Sequence, residues 1–190
     1  ALGGIEDVWV SVGVAFLGNN AGLHTVDVSN PASPVRLANL PGDRVTGIVV
    51  ADGKATLVNY GDEEVRIVNV TSPSALSVLG TYTGVEAWSV ALLDSTPVLV
   101  GATTGAPRRP SIDLLNLATP SSPQSAGSLV LDTVDGSADS IAIVGNWAFV
   151  GRGSRALEVI SLSNLSSPQK VGSVQISHFA LRIAASEDGN

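Results

Sequence analysis

The chain reads as an all-β protein built of four-stranded repeats, the pattern of a β-propeller. Three observations carry that reading. A strand-like run ends in the same Ser/Asn/Pro punctuation four times, as LHTVDVSNPASP, VRIVNVTSPSA, IDLLNLATPSSP and LEVISLSNLSSP. Pro31 and Pro73 stand 42 residues apart, Pro73 and Pro120 stand 47 apart, and Pro123 and Pro168 stand 45 apart. No amphipathic helix of useful length interrupts the short alternating segments. A fixed period of this size with several strands per period is the signature of propeller blades.

Each repeat divides into four strands. In the fourth, DSIAIVG (139–145) and WAFVG (147–151) flank a tight turn at Gly145-Asn146. LEVISL (157–162) follows, and QKVGSVQ (169–175) closes the unit after a Ser/Asn/Pro loop. Alternation and β-branched content mark the strands, and Gly, Asn, Asp and Pro clusters mark the turns. The same frame gives DVWVSVG, VAFLG, LHTVDV and VRLANL in the first repeat and VTGIVVADG, KATLVN, VRIVNV and SVLGTY in the second. The third reads EAWSVALL, PVLVGA, IDLLNL and SAGSLVL, with a longer loop, GATTGAPRRPS (101–111), inserted between its second and third strands.

The repeats therefore fall at 5–42, 43–84, 85–134 and 135–177, within one repeat region spanning 1–190. HFALRIAASEDGN (178–190) matches the leading strand and first turn of a fifth repeat. Asp188-Gly189-Asn190 falls where Asp52-Gly53 and Gly145-Asn146 turn. A lone leading strand leaves edge hydrogen-bonding groups open. It points to a piece of a larger ring or to a subunit completed by a neighbour.

Composition excludes several function classes. The chain is 44% hydrophobic, 14% charged and 4% aromatic, so its core is expected from packed Val, Leu, Ile and Ala. A net charge of −7, with Lys54 and Lys170 the only lysines, argues against nucleic acid and anionic lipid, which need clustered cations. Cysteine is absent, which removes disulfides, thiolate metal sites and thiol nucleophiles. No run of 18 apolar residues is present, so no membrane-inserted helix is expected. The start at Ala1, in a chain with no methionine, reads as a processed or excised product.

Candidate chemistry is sparse. His24 and His178 are the only histidines, and nothing local gives either one a nucleophile or an orienting carboxylate. No G-x-S-x-G turn is present. Gly151-Arg152-Gly153-Ser154 joins two strands and precedes no helix, so it is not a phosphate loop. The acid-rich run LDTVDGSAD makes Asp132, Asp135 and Asp139 the best metal candidate, although it lacks calcium-loop spacing. A solvated loop between blades is the commoner use of such a run. Arg108 and Arg109, on the inserted loop, are the candidate interaction residues, because insertions in propellers go to exposed loops. Trp9, Trp88 and Trp147 suit either sugar stacking or packing between blades, with packing the commoner use. Asn69-Val70-Thr71 and Asn164-Leu165-Ser166 match the N-glycosylation sequon. No cofactor is expected.

The segment GLHTVDVSNPASPVRL (22–37) resembles the LVIVD-repeat family, named for a strand ending in Val-Asp before a Pro-containing loop. The signature stands as Leu23-His24-Thr25-Val26-Asp27, and later copies carry Asn69, Asn116 and Ser161 in place of Asp27. Leu165 replaces the first proline of the fourth copy. The resemblance implies a β-propeller repeat of bacterial and archaeal cell-surface and secreted proteins, with no catalytic motif to carry over. The drift among small polar residues has its own reading: such side chains hydrogen-bond the backbone where a strand enters its turn.

The functional expectation is a non-catalytic extracellular or cell-surface scaffold that binds a protein partner or self-associates. The alternatives are a hydrolase, lyase or ligand-binding propeller with its site at the ring centre, and an accessory subunit of a larger complex. The apolar first strands VWVSV, GIVVA, SVALL, SIAIV and LRIAA argue against a polar catalytic funnel.

Overall fold

A computed structural model describes residues 3–59, 63–133, 136–153, 156–176 and 182–184. These residues form four antiparallel sheets, each with its strands in chain order. Blade 1 contains β1 (Ile5–Ser11), β2 (Val14–Asn19), β3 (Gly22–Asp27) and β4 (Val35–Pro41). Blade 2 contains β5 (Gly47–Ala51), β6 (Lys54–Val58), β7 (Val65–Asn69) and β8 (Ser77–Tyr82). Blade 3 contains β9 (Val85–Leu93), β10 (Thr96–Thr103), β11 (Pro110–Asn116) and β12 (Gln124–Val130). Blade 4 contains β13 (Ala138–Val144), β14 (Trp147–Arg152), β15 (Ala156–Ser161) and β16 (Gln169–Gln175). The all-β expectation and the four-stranded unit hold. No helix in the described residues is long and apolar enough to cross a membrane.

The sequence pattern explains each hairpin. Two-residue turns between first and second strands need positive φ, which Gly, Asn and Asp tolerate best. Asp52 and Gly53 take φ of 50° and 69°, and Gly145 takes 53°. Val12 takes 49° ahead of Gly13 at 75°, a conformation that a β-branched residue adopts only under strain. Val12 and Gly13 thus belong to the turn and not to the first strand. The predicted insertion also shortens, because residues 101–103 extend β10 and residues 110–111 open β11, leaving 104–109 as loop.

The turns at the ends of β3, β7 and β11 are built as their residue types imply, while Ser161 in blade 4 bonds the Ser163 hydroxyl at 3.3 Å. Asp27 Oδ1 accepts the Ser29 amide at 2.9 Å, Asn69 Oδ1 accepts Thr71 at 3.1 Å and Asn116 Oδ1 accepts Ala118 at 2.9 Å. The outer strand pairs share a further device. In all four blades the third-to-fourth register slips by one residue, leaving Leu37, Leu79, Ala126 and Val171 bulged. Bulges of this kind increase local twist.

Three apolar clusters hold the blades together, one at each joint. Phe16, Leu23, Ile48 and Leu57 join blades 1 and 2. Val58, Ile67, Val85 and Leu99 join blades 2 and 3. Val98, Leu114, Ile141 and Ile160 join blades 3 and 4. Each fully buried aliphatic side chain contributes about 1.5–3 kcal/mol, which compensates for the scarcity of aromatics. The innermost strands β1, β5, β9 and β13 pack in succession around a common centre. Of the expected fifth leading strand, residues 182–184 are described and are not strand, and the remainder lies outside the described residues, as does His178.

Candidate functional site at the centre of the blades

The innermost strands enclose an open cavity of about 740 Å³. Its wall is polar despite the apolar strands, which corrects the expectation of an apolar funnel. The reason is a second repeated irregularity. In β1, β9 and β13 the register slips just before the apolar run, so Glu6, Trp88 and Asp139 are bulged out of the ladder. Bulges re-aim side chains, and all three residues line the cavity, as does Thr46, their counterpart ahead of β5. Sequence reasoning named Trp88 for stacking or packing and Asp139 as a metal candidate, but it did not place either on a common wall with Glu6 and Thr46. The available signal was a polar or aromatic residue two positions before Val8, Ile48, Val90 and Ile141.

The cavity charges are already engaged. Arg44 pairs with Glu6 at 3.0 Å. Asp7 Oδ2 accepts the Ile48 amide at 2.7 Å, tying blade 1 to blade 2. Burial pushes the Asp7 carboxyl above the usual range, against the Ile48 bond and the nearby Arg182 guanidinium. Burial also raises Asp139, whose Oδ1 accepts the Ser137 hydroxyl at 2.7 Å. His24 is not on the wall, and the hydroxyl–carboxylate pair found there is Ser137 with Asp139. The arrangement can bind a polar ligand against Trp88.

The metal candidates are not brought together as a ligand set. Asp132 Oδ2 accepts Arg152 Nη2 at 2.8 Å in the linker from blade 3 to blade 4, while Asp139 stands on the cavity wall. Asp135 lies outside the described residues. Among the described residues no group of three His, Cys, Asp or Glu could hold a metal ion. On the inserted loop, Arg108 pairs with the buried Glu86, and its carbonyl accepts the Gly136 amide at 3.0 Å. The Arg109 amide donates to Thr103 Oγ1 at 3.1 Å. The loop is therefore fastened to blades 3 and 4. Trp9 packs on the core between blades 1 and 2, and Trp147 is exposed. The sequon residues serve as turn devices: Asn69 Oδ1 accepts the Thr71 hydroxyl at 2.7 Å and Asn164 Oδ1 accepts the Ser166 hydroxyl at 2.8 Å.

Polar groups also mark the joints. His24, Arg66, Asp113 and Glu158 occupy the same place on the four third strands, paired across their ladders with Leu17, Leu57, Leu99 and Val150. In three blades this side chain is tied to the preceding blade or the linker after it. Arg66 pairs with Asp43, Asp113 accepts the Tyr82 hydroxyl, and Glu158 is linked through Arg152 to Asp132.

Four antiparallel blades following one another around a central cavity define a β-propeller-type repeat protein. The model of the LVIVD repeat matches residues 3–39 and 135–176, which hold blades 1 and 4. No curated protein matches the chain. Among solved structures it is similar to a functionally unknown protein from Desulfotomaculum acetoxidans, with 12% identity and a TM-score of 0.77 over 97% of this chain and 60% of that one. It is also similar to the computationally designed Ika8 protein, with 11% identity and a TM-score of 0.67 over 90% of this chain and 49% of that one. A Lactobacillus plantarum protein matches at 10% identity and a TM-score of 0.64, over 90% of this chain and 55% of that one. These likenesses establish the fold. The chain matches 49–60% of the length of these structures.

Proposed function

We propose that this chain is a non-catalytic propeller scaffold that works outside the cell or at its surface through protein contacts. One observation carries the reading. Apolar side chains that are buried at the joints between blades are exposed on β1 and β16 among the described residues. Val8 is 53% exposed, whereas Ile48 and Ile141, at the same place in blades 2 and 4, are 2% and 7% exposed. Val174, on the last strand, is 54% exposed. Apolar faces of this kind on a folded protein mark sites of contact. The LVIVD repeat, typical of surface proteins, supports the location.

The test is protease accessibility and hydroxyl-radical footprinting of the protein on intact source cells. Protein cut by external protease, with Val8, Val10 and Val174 protected relative to the denatured chain, is the expected result. Protein shielded inside the cell, or the three valines fully reactive, would overturn the reading.

A second reading rests on the cavity. Trp88 beside Glu6, Asp139 and Ser89 forms a wall suited to a neutral, hydroxyl-rich ligand such as an oligosaccharide. Quenching of Trp88 fluorescence by oligosaccharides, lost in Trp88→Ala, would support it. No change in emission across a broad sugar panel would sink it.

A further inference from the structure

We propose that Asn69 and Asn164 are sites of N-linked glycosylation, so that carbohydrate covers one end of the blades. The proposal rests on the extracellular reading, because the sugar is added to exported chains.

Four asparagines after third strands make the same turn. Asn30, Asn69, Asn116 and Asn164 each accept, through Oδ1, the backbone amide two residues on, at 3.2, 3.1, 2.9 and 3.2 Å. Two of these turns add a hydroxyl. Thr71 Oγ1 donates to Asn69 Oδ1 at 2.7 Å, and Ser166 Oγ donates to Asn164 Oδ1 at 2.8 Å. Two donors converging on one atom identify it as the amide oxygen. The planar amide then holds Nδ2 on the opposite side, and among the described residues it donates no hydrogen bond. The same bonds draw electron density toward Oδ1, which makes the Nδ2 protons more acidic. Asn30 and Asn116 fall short: Pro31 follows the first, and Ala32 and Ala118 carry no hydroxyl. The transfer joins Nδ2 to the anomeric carbon of a lipid-linked sugar donor and breaks that carbon's bond to a phosphate oxygen. The phosphate leaves with the electron pair, and Nδ2 gives one proton to a base of the host transferase.

The break in the repeat at Leu165 gains a reason. Pro31, Pro73 and Pro120 hold its place in the first three blades. A proline between Asn164 and Ser166 would block the transfer, and leucine permits it. The Leu165 side chain is exposed, so core packing does not account for the change. Its carbonyl lies on Gly127 as that of Pro120 lies on Gly80, so the backbone contact needs no leucine either. Access is a property of the turn: Asn164 is exposed, and so are Asn30, Ser72 and Thr119 at the same place in the other blades. Asn69 is half-buried, with Thr71 exposed beside it. Strands alternate in direction within each blade, so both loops lie at the end that carries the first-to-second hairpins. The loop 104–109 and the linkers between blades lie at the other. Sugar on the first end leaves the second for protein contacts.

The experiment is glycopeptide mass spectrometry of the protein purified from its source cells, with surface and interior fractions measured separately. The Asn69 and Asn164 peptides are expected to carry a common sugar mass, and the Asn30 and Asn116 peptides none. Thr71→Ala should remove the mass from Asn69 alone, and Thr71→Ser should keep it. Ala118→Thr, which supplies the missing hydroxyl, should add the mass at Asn116. Surface protein with either Asn69 or Asn164 bare overturns the proposal and leaves the scaffold reading standing. Sugar that persists on Asn69 in Thr71→Ala also overturns it, because the hydroxyl would then play no part. Protein confined to the interior with both asparagines bare overturns the proposal and the extracellular reading together.

Discussion

The carbonyl of Leu165, in blade 4, stands where a side chain on Gly127, in blade 3, would begin. The contact lets a loop of one blade lie directly on the backbone of the blade before it. Any Cβ at Gly127 must displace main chain and not a flexible side chain. Gly127→Ala is therefore expected to destabilise the chain by about 1–3 kcal/mol, the usual cost of forced overpacking. Gly80→Ala, beneath Pro120, should behave alike. Gly172→Ala should change little, since among the described residues its Cβ meets only the Val159 side chain, at 3.8 and 3.9 Å. Denaturant midpoints of the three variants check this, and equal losses at all three would contradict the joint geometry.

Arg152 is buried and bridges two carboxylates, Glu158 at 2.7 Å and Asp132 at 2.8 Å. Arg152→Ala leaves Glu158 buried with only Lys170 nearby, at 3.2 Å. A loss of about 3–5 kcal/mol is expected for breaking such a pair from one side. Arg152→Met combined with Glu158→Leu should recover most of it. A double variant no more stable than Arg152→Ala would show that the pair is worth more than its apolar replacement.

Val12 is fully exposed and held at a φ of 49°. The left-handed region costs an L residue about 1–2 kcal/mol, and Asn tolerates it well. Val12→Asn ahead of Gly13 forms the favoured Asn-Gly hairpin turn and should stabilise blade 1 by about 1 kcal/mol. A lower thermal midpoint for Val12→Asn would count against the strain.

Asp113 lies between blades 2 and 3, where its carboxyl accepts the hydroxyls of Tyr82 and Ser125. Burial nevertheless raises its pKa above the ordinary 3.8, and it does the same to Asp7 and Asp139. A folded-state pKa above the unfolded one means that the folded state holds the proton more tightly. The contribution is complete below the unfolded value and is lost as pH rises through the folded one. Stability should accordingly fall between pH 3.8 and neutrality, and Asp113→Asn should flatten that slope. Asp27 runs the other way, lowered by its bonds to Ser29 at the edge of blade 1. Urea denaturation at stepped pH provides the test, and a wild-type slope that persists in Asp113→Asn would remove this residue as its source.

Repeat number, strand order, hairpin turns and the Asp27, Asn69 and Asn116 turn caps were legible in the chain, because each is a local property. Alternation sets which residues face a joint, and turn chemistry acts within two or three residues. The cavity wall and the joints were not legible in the same way. Glu6, Trp88 and Asp139 face the centre only because a bulge turns each of them out of its ladder, and periodicity counts a bulged residue on the wrong face. Asp132 and Arg108 read as exposed charges, and tertiary packing paired them with Arg152 and Glu86. His24, Arg66, Asp113 and Glu158 look unrelated as residue types, since what they share is a place between blades. Local sequence determined the blade. Which carbonyl fills Gly80 and which fills Gly127 was decided only when one blade was laid against the next, because those contacts join residues about forty apart through backbone sterics that no residue pattern encodes.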